Sequence, residues 1–298
     1  MTRLDALLKA YKVLGAKAPY WTQGQGSNLS YKNKVKKRLW IKPSGFCLNE
    51  VNAKEDLVEI AMDRLPQSWI GLSESEYSES ISNSKIDKNV HRPSMETGFH
   101  AVLEAELVFH FHSLVSILMS RHQVQNENWL KKNWNAGKIF FVEYETPGLD
   151  LTVKISEHPE GSLFFLHQHG VIIAGNDLSI LDLWFEIEKK WMREFYHKDW
   201  PPIQSRLELL KKYRHGKLKV LFPDMAVFVK HMPEILEKNR EGWQLKSPTE
   251  KLNSNLVDLW LATQILLEFD ENLSELSQIE IQKITGLTTE QYRLLKKD

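Results

Sequence analysis

The sequence predicts a layered α/β domain followed by a mostly helical extension, and three observations predict it. Short apolar runs of strand length alternate with helical patterns from the start of the chain to about residue 195. Two of those runs end in paired histidines, His110 with His112 and His167 with His169. Beyond residue 195 the apolar positions recur mainly at helical spacing. We therefore divide the chain into residues 1–195, the domain expected to carry chemistry, and 196–298, a helical extension packed on it. A chain of 298 residues allows one large domain or two of average size, and 42% hydrophobic with 26% charged residues is ordinary globular composition.

The elements follow in order. Leu4, Leu7, Leu8, Tyr11 and Leu14 recur at helical spacing with Asp5, Lys9 and Lys12 between them, an amphipathic helix rather than a signal peptide. Residues 22–30 are rich in turn formers. Residues 39–42 form a strand that stops at Pro43-Ser44-Gly45. Lys32, Lys34, Lys36, Lys37 and Arg38 lie between two strands and read as a solvated hairpin. Residues 56–63 hold another short apolar stretch, and the serine-rich residues 73–90 read as an exposed loop. A helix starts at Pro93-Ser94-Met95-Glu96, with Ser94 as its N-cap. The strand with His110 and His112 comes next. Residues 115–119 then lead toward a helix, and 122–136 form a surface helix ending at Gly137. Strands are expected at 138–144, 163–166 and 171–174, and an amphipathic helix at 179–195. In the extension we expect a strand at 225–229, a helix at 256–269 and two short helices near the end.

Charge and cysteine content narrow the function classes. Lysine plus arginine equals aspartate plus glutamate, 39 each, which argues against a nucleic-acid partner. A weak helix-turn-helix pattern around residues 284–289 has no basic face to support it. Cys47 is the single cysteine, so no internal disulfide forms. No 18-residue apolar run exists, so no transmembrane helix or membrane partner is expected. The protein reads as cytoplasmic.

The histidine pairs carry the chemical signal. Side chains of a strand alternate faces, so His110 and His112 share one face with Cα atoms roughly 6.7 Å apart, and Phe109 and Phe111 take the other. Imidazoles at that spacing converge on one metal ion. The alternative is a set of partly buried histidines, each bonded to a neighbouring carbonyl. The residues alone do not decide the part played by His167 and His169.

Five segments stand in a fixed order: Gly26-Ser27-Asn28, Lys42-Pro43-Ser44-Gly45, Pro93-Ser94-Met95-Glu96, His110-Phe111-His112 and His169-Gly170. In this series the chain resembles the class II aldolase/adducin family over roughly residues 4–195. Residues 142–148 and Phe222-Pro223-Asp224 are similar to its longer branch, which includes domains fused to dehydrogenases. The resemblance implies a three-layer α/β/α fold around a mixed, largely antiparallel sheet. It implies a zinc or similar divalent metal held by His110, His112 and His169, with His167 in a supporting or structural role. Three protein ligands leave a position open for water or substrate.

The same resemblance makes Glu96 the acid/base carboxylate, although a first-turn glutamate is also what a helix dipole favours. It assigns a substrate phosphate to Ser27, Asn28, Ser44, Gly45 and Ser94, through backbone amides and hydroxyls. Ser27 stands where the family has glycine, and Met95 where a second serine is frequent. His100, one turn beyond Glu96, reads as structural. The implied activity is a metal-dependent aldehyde-lyase acting on a small, phosphorylated sugar, with zinc as Lewis acid stabilising an enediolate and Glu96 moving protons. Family alternatives are epimerisation, dehydration, decarboxylation, an adducin-like scaffold or a sugar-phosphate sensor. A homo-oligomer, a tetramer, is implied as well.

Overall fold

The structure is a computed structural model that describes residues 2–86, 91–120, 123–202, 204–240, 242–246, 253–287 and 290. Helix α1 (Arg3–Gly15) begins with a capping box: the Thr2 hydroxyl accepts the Asp5 amide, and the Asp5 carboxylate accepts the Thr2 amide. Its stripe of Ala6, Leu7, Ala10, Tyr11 and Leu14 is buried. Strands β1 (Asn28–Asn33), β2 (Arg38–Ile41) and β3 (Val58–Ala61) follow. Helices α2 (Glu74–Asn83) and α3 (Thr97–Val102) precede β4 (Leu107–Phe111). Next come α4 (Leu114–Ser120), α5 (Gln123–Asn133), β5 (Ile139–Val142) and α6 (Leu149–Ser156). Strands β6 (Leu163–Leu166) and β7 (Gly170–Gly175) and helix α7 (Ser179–Tyr196) complete this half.

One sheet of seven strands in the order β3-β2-β1-β4-β7-β6-β5 forms the middle layer. Every neighbouring pair is antiparallel except β5 with β6. Alternation splits the side chains cleanly. Val108, Phe164, Leu166 and Ile172 meet Phe99 and Leu103 around α3 and Leu151 and Ile155 of α6. Leu107, Phe109, Phe111, Phe165, Val171 and Ile173 face the opposite layer, built from α1, α4, α5 and α7. The three-layer arrangement with a mixed, largely antiparallel sheet is thus the fold of this chain.

The second half contains α8 (Arg206–Lys212), β8 (His215–Gly216), α9 (Pro223–Phe228), β9 (Leu236–Asn239), β10 (Gly242–Leu245), α10 (Ser254–Phe269) and α11 (Gln278–Gly286). Its apolar residues join the larger core cluster: Phe222, Met225, Trp260 and Leu261 are buried together with the α4 side of the sheet.

Several elements differ from expectation. Residues 73–90 are not all loop: α2 is capped by Ser73, whose hydroxyl accepts the Glu76 amide, and it buries Tyr77 and Ile81. The serines hid a two-residue stripe at i, i+4; residues 87–90 lie outside the described set. Helix α6 was not anticipated, although Leu151 and Ile155 stand at i, i+4 and are buried. Helix α3 starts four residues beyond Pro93, with Glu96 rather than Ser94 at its N-cap; the Ser94 hydroxyl instead accepts the Glu96 amide at 3.2 Å. Residues 225–229 are helical, not extended. Pro223 sits at the start of α9, where its missing N–H costs nothing, and this outweighs the strand-like composition. A small sheet, β8-β10-β9, interrupts what read as a helical extension. Of the two terminal helices, α11 is present and the other falls outside the described residues.

The basic hairpin is only partly solvated. Lys34, Lys36 and Lys37 are exposed at the β1–β2 turn, but Lys32 is buried on β1. Its ammonium donates to the carbonyls of His100, at 2.6 Å, and Leu103. It thereby caps the C-terminal end of α3. Burial lowers its pKa to about 7.

Candidate active site

The histidines converge because of register. In β4, His110 pairs with Ile172 of β7, and Phe111 pairs with Val171. The loop of three residues between β6 and β7 therefore brings His169 beside the end of β4. Gln168 adopts the left-handed conformation there (φ 51°). Gly170 (φ 151°) lets the chain pass against Phe111, whose carbonyl oxygen would lie 2.5 Å from an added Cβ. The rings of His110, His112 and His169 then stand 4.9, 4.9 and 5.0 Å apart, near an equilateral triangle. One nitrogen of each lies within 4.8 Å of the others, and all three residues are buried.

Hydrogen bonding fixes the tautomers. His110 Nδ1 lies 3.0 Å from the Val171 carbonyl. A carbonyl oxygen only accepts, so Nδ1 carries the hydrogen and Nε2 is a bare lone pair. His112 Nδ1 lies against Asp224 Oδ2, which orients that ring in the same sense. The two Nε2 atoms are 3.1 Å apart. Two bare nitrogens at that separation repel unless a cation or proton lies between them. Ligand atoms of a tetrahedral zinc site are roughly 3.3 Å apart for bonds of about 2.0–2.1 Å. Burial pushes the pKa of His110 down, and that of His169 well down, and for His169 the crowding by His110 and His112 disfavours a further proton as well. Neutral imidazoles are what a metal requires.

Glu96 closes the fourth side. Its Oε1 is 3.5 Å from His110 Nε2 and 3.9 Å from His169 Nε2, and it has no hydrogen-bond partner among the described residues. Its Oε2 accepts from Asn28 Nδ2 at 2.6 Å. One carboxylate oxygen is thus anchored and the other is left facing the histidines. The donor set of three imidazoles and a carboxylate suits zinc or a similar divalent ion.

The predicted anion residues gather in the same cleft. Ser27, Asn28, Ser44, Gly45 and Ser94 line it together with Glu96, His112 and His169. Their roles differ in detail. Asn28 holds Glu96, and the Ser44 amide is spent on the Arg92 carbonyl at 2.9 Å. Ser27 sits in the left-handed region (φ 71°), and its buried hydroxyl has no partner among the described residues. Met95 also lines the cleft. His167 does not join the triangle; it lines a separate pocket with Ser120 and Leu221. His100 is buried beneath, its Nδ1 2.7 Å from the Ser30 hydroxyl, a structural placement.

Two residues of the cleft stood within the quoted motifs but were given no role in the site. Lys42 is buried, its ammonium bonded to the Gln25 carbonyl at 3.0 Å and to the Phe46 carbonyl. The signals were a lysine ending an apolar strand just before a turn and its place at the head of the Lys42-Pro43-Ser44-Gly45 segment. Asp224 comes from α9, far along the chain.

A mixed sheet that presents three histidines at the ends of its strands, with a glutamate beside them at the N-cap of a covering helix, defines a class II aldolase type of α/β protein. The chain belongs to the class II aldolase and adducin N-terminal domain family, whose model matches residues 5–186. It is 27% identical over 151 residues to the uncharacterized oxidoreductase YuxG of Bacillus subtilis (strain 168). That match takes in 46% of this chain and 20% of YuxG, so the chain spans about a fifth of that relative's length. Among solved structures, the N-terminal class II aldolase domain of a conserved protein from Thermoplasma acidophilum superposes with a TM-score of 0.55 at 19% identity, covering 66% of this chain and 94% of the other. An L-fuculose-1-phosphate aldolase from Thermus thermophilus aligns at 18% identity and a TM-score of 0.45, covering 65% and 92%.

Proposed function

We propose that this protein is a metal-dependent aldehyde-lyase that cleaves or forms a C–C bond next to a carbonyl in a small, phosphorylated sugar. The observation that carries the reading is the Glu96 oxygen, without a hydrogen-bond partner among the described residues, that faces Nε2 of His110 and His169 within the triangle of three buried histidines, in a cleft also lined by Ser27, Ser44 and Lys42. His110, His112 and His169 would hold zinc or a similar divalent ion, which supplies Lewis-acid polarisation of a substrate carbonyl when bound. Asn28 keeps one Glu96 oxygen fixed, so that a proton is taken up and returned at Oε1. Ser27 and Ser44 offer hydroxyls, and the buried Lys42 ammonium supplies positive charge, on the side where a phosphate would sit. The assembly implied by the resemblance, a homo-oligomer, belongs to the same proposal. The test is a retro-aldol assay against a panel of sugar phosphates, with and without a chelator. Cleavage abolished by chelation and restored by zinc supports the reading; absence of cleavage across the panel, with substrate epimerised or dehydrated instead, replaces it.

A further inference from the structure

We propose that Asp224 is a positioning residue for the metal centre, so that the segment beyond the matched family region completes the site. The inference rests on the metal reading of the three histidines. The Asp224 carboxylate lies against His112 Nδ1, and both residues are buried, at 1% and 4% exposure. Asp224 sits in α9, held by Phe222 and Met225, whose side chains are fully buried in the main core. The carboxylate is therefore not free to drift from the ring.

A second observation makes the contact a built one. Gly26, in the turn before β1, passes so close that an added Cβ would collide with Asp224 Oδ2. The same Cβ would lie 3.0 Å from both Asp224 Cγ and His112 Nδ1. A side chain at position 26 thus competes with the Asp224–His112 contact for the same space. The sequence Gly26-Ser27-Asn28 leaves room for the carboxylate on one side and sends Asn28 to Glu96 on the other.

The chemistry follows from charge and tautomer. A carboxylate on Nδ1 holds the hydrogen there, keeps the Nε2 lone pair pointed at the other histidines and raises the basicity of the ring. Charge is balanced as well. Three neutral imidazoles leave a dication with both charges uncompensated in a buried site, and Glu96 and Asp224 supply two negative charges. His110 receives only a neutral carbonyl on its Nδ1. Removing Asp224 therefore weakens the hold on a dication without removing any ligand atom.

The experiment is a titration of the metal-stripped full chain with Co(II), read by the visible absorption of the bound ion and by competition with a chelator of known affinity. Wild type, H110A, H167A, D224A, D224N and G26A are compared, with far-UV circular dichroism on each metal-stripped variant. We expect H110A to lose the spectrum and H167A to keep wild-type affinity. D224A and G26A should each bind 10- to 100-fold more weakly, about the scale for partners of metal ligands. D224N, which keeps the shape and loses the charge, should fall between wild type and D224A. The D224A/G26A pair should weaken binding less than the two single effects combined, because both break one contact. Failure of wild type to bind Co(II), or equal binding by H110A, overturns the metal reading itself. Binding by wild type but not H110A, with D224N and G26A folded and at wild-type affinity, overturns the role of Asp224 alone. An equal loss in H167A shows a general loosening and overturns it too.

Discussion

Glu188 of α7 provides a prediction that is independent of the reaction. Its side chain is fully buried, and four groups donate to it: Trp184 Nε1 at 2.7 Å and Trp200 Nε1 at 3.2 Å, together with Trp21 Nε1 and the Ser113 hydroxyl. Burial raises its pKa from 4.5 to about 7, against the opposing pull of the donors. The folded protein therefore keeps a proton on Glu188 between pH 4.5 and 7, whereas the unfolded chain has lost it. The folded state binds more protons in that window, so this contribution to stability is full below pH 4.5 and disappears as pH rises through 7. A shift of that size corresponds to on the order of 3 kcal/mol. Glu188→Gln stays neutral at every pH and removes the slope. Its amide faces indole N–H groups, which lowers stability by an amount that does not change with pH. The assay is urea unfolding followed by tryptophan fluorescence at pH 5, 6, 7 and 8. From pH 5 to 8 the stability of wild type relative to Glu188→Gln should fall by a few kcal/mol. Parallel curves for the two proteins refute the reasoning.

Two further predictions address the cleft. Glu96→Gln preserves shape and the Asn28 contact but exchanges no proton as a carboxylate does; it should retain metal and lose activity by on the order of 10²-fold or more, and near-normal turnover removes Glu96 from the mechanism. Met95 lines the cleft without a hydroxyl. One hydrogen bond to a charged group is worth about 1.5–3 kcal/mol, so Met95→Ser should tighten inhibition by inorganic phosphate and by a two-carbon hydroxamate phosphate roughly ten- to a hundred-fold. Unchanged inhibition constants show that this side chain does not face the anion.

The legible parts of the molecule are those where a local pattern is sufficient. Strand alternation put His110 and His112 on one face, and the motif order brought His169 and Glu96 to them. What was missed depends on distance in sequence. Lys32 looked like one of five solvated basic residues, yet its position on β1 turns it under α3, where two carbonyls need a donor. Asp224 lies 112 residues from the histidine it touches, and although Phe222-Pro223-Asp224 stood out as a motif, nothing in it names His112 as the partner. Residues 225–229 show composition losing to a single proline, and α2 shows two buried side chains outweighing a run of serines. Asn28 was assigned to the anion through its backbone; that its side-chain amide holds Glu96 is a contact between residues 68 apart in sequence, which no local pattern marks.

Metal analysis of purified protein by mass spectrometry tests the histidine triangle most directly. Wild type should carry about one divalent ion per chain, His110→Ala and His169→Ala should lose it, and His167→Ala should retain it. If His167→Ala strips the metal while His169→Ala keeps it, the histidine triangle is not the metal site.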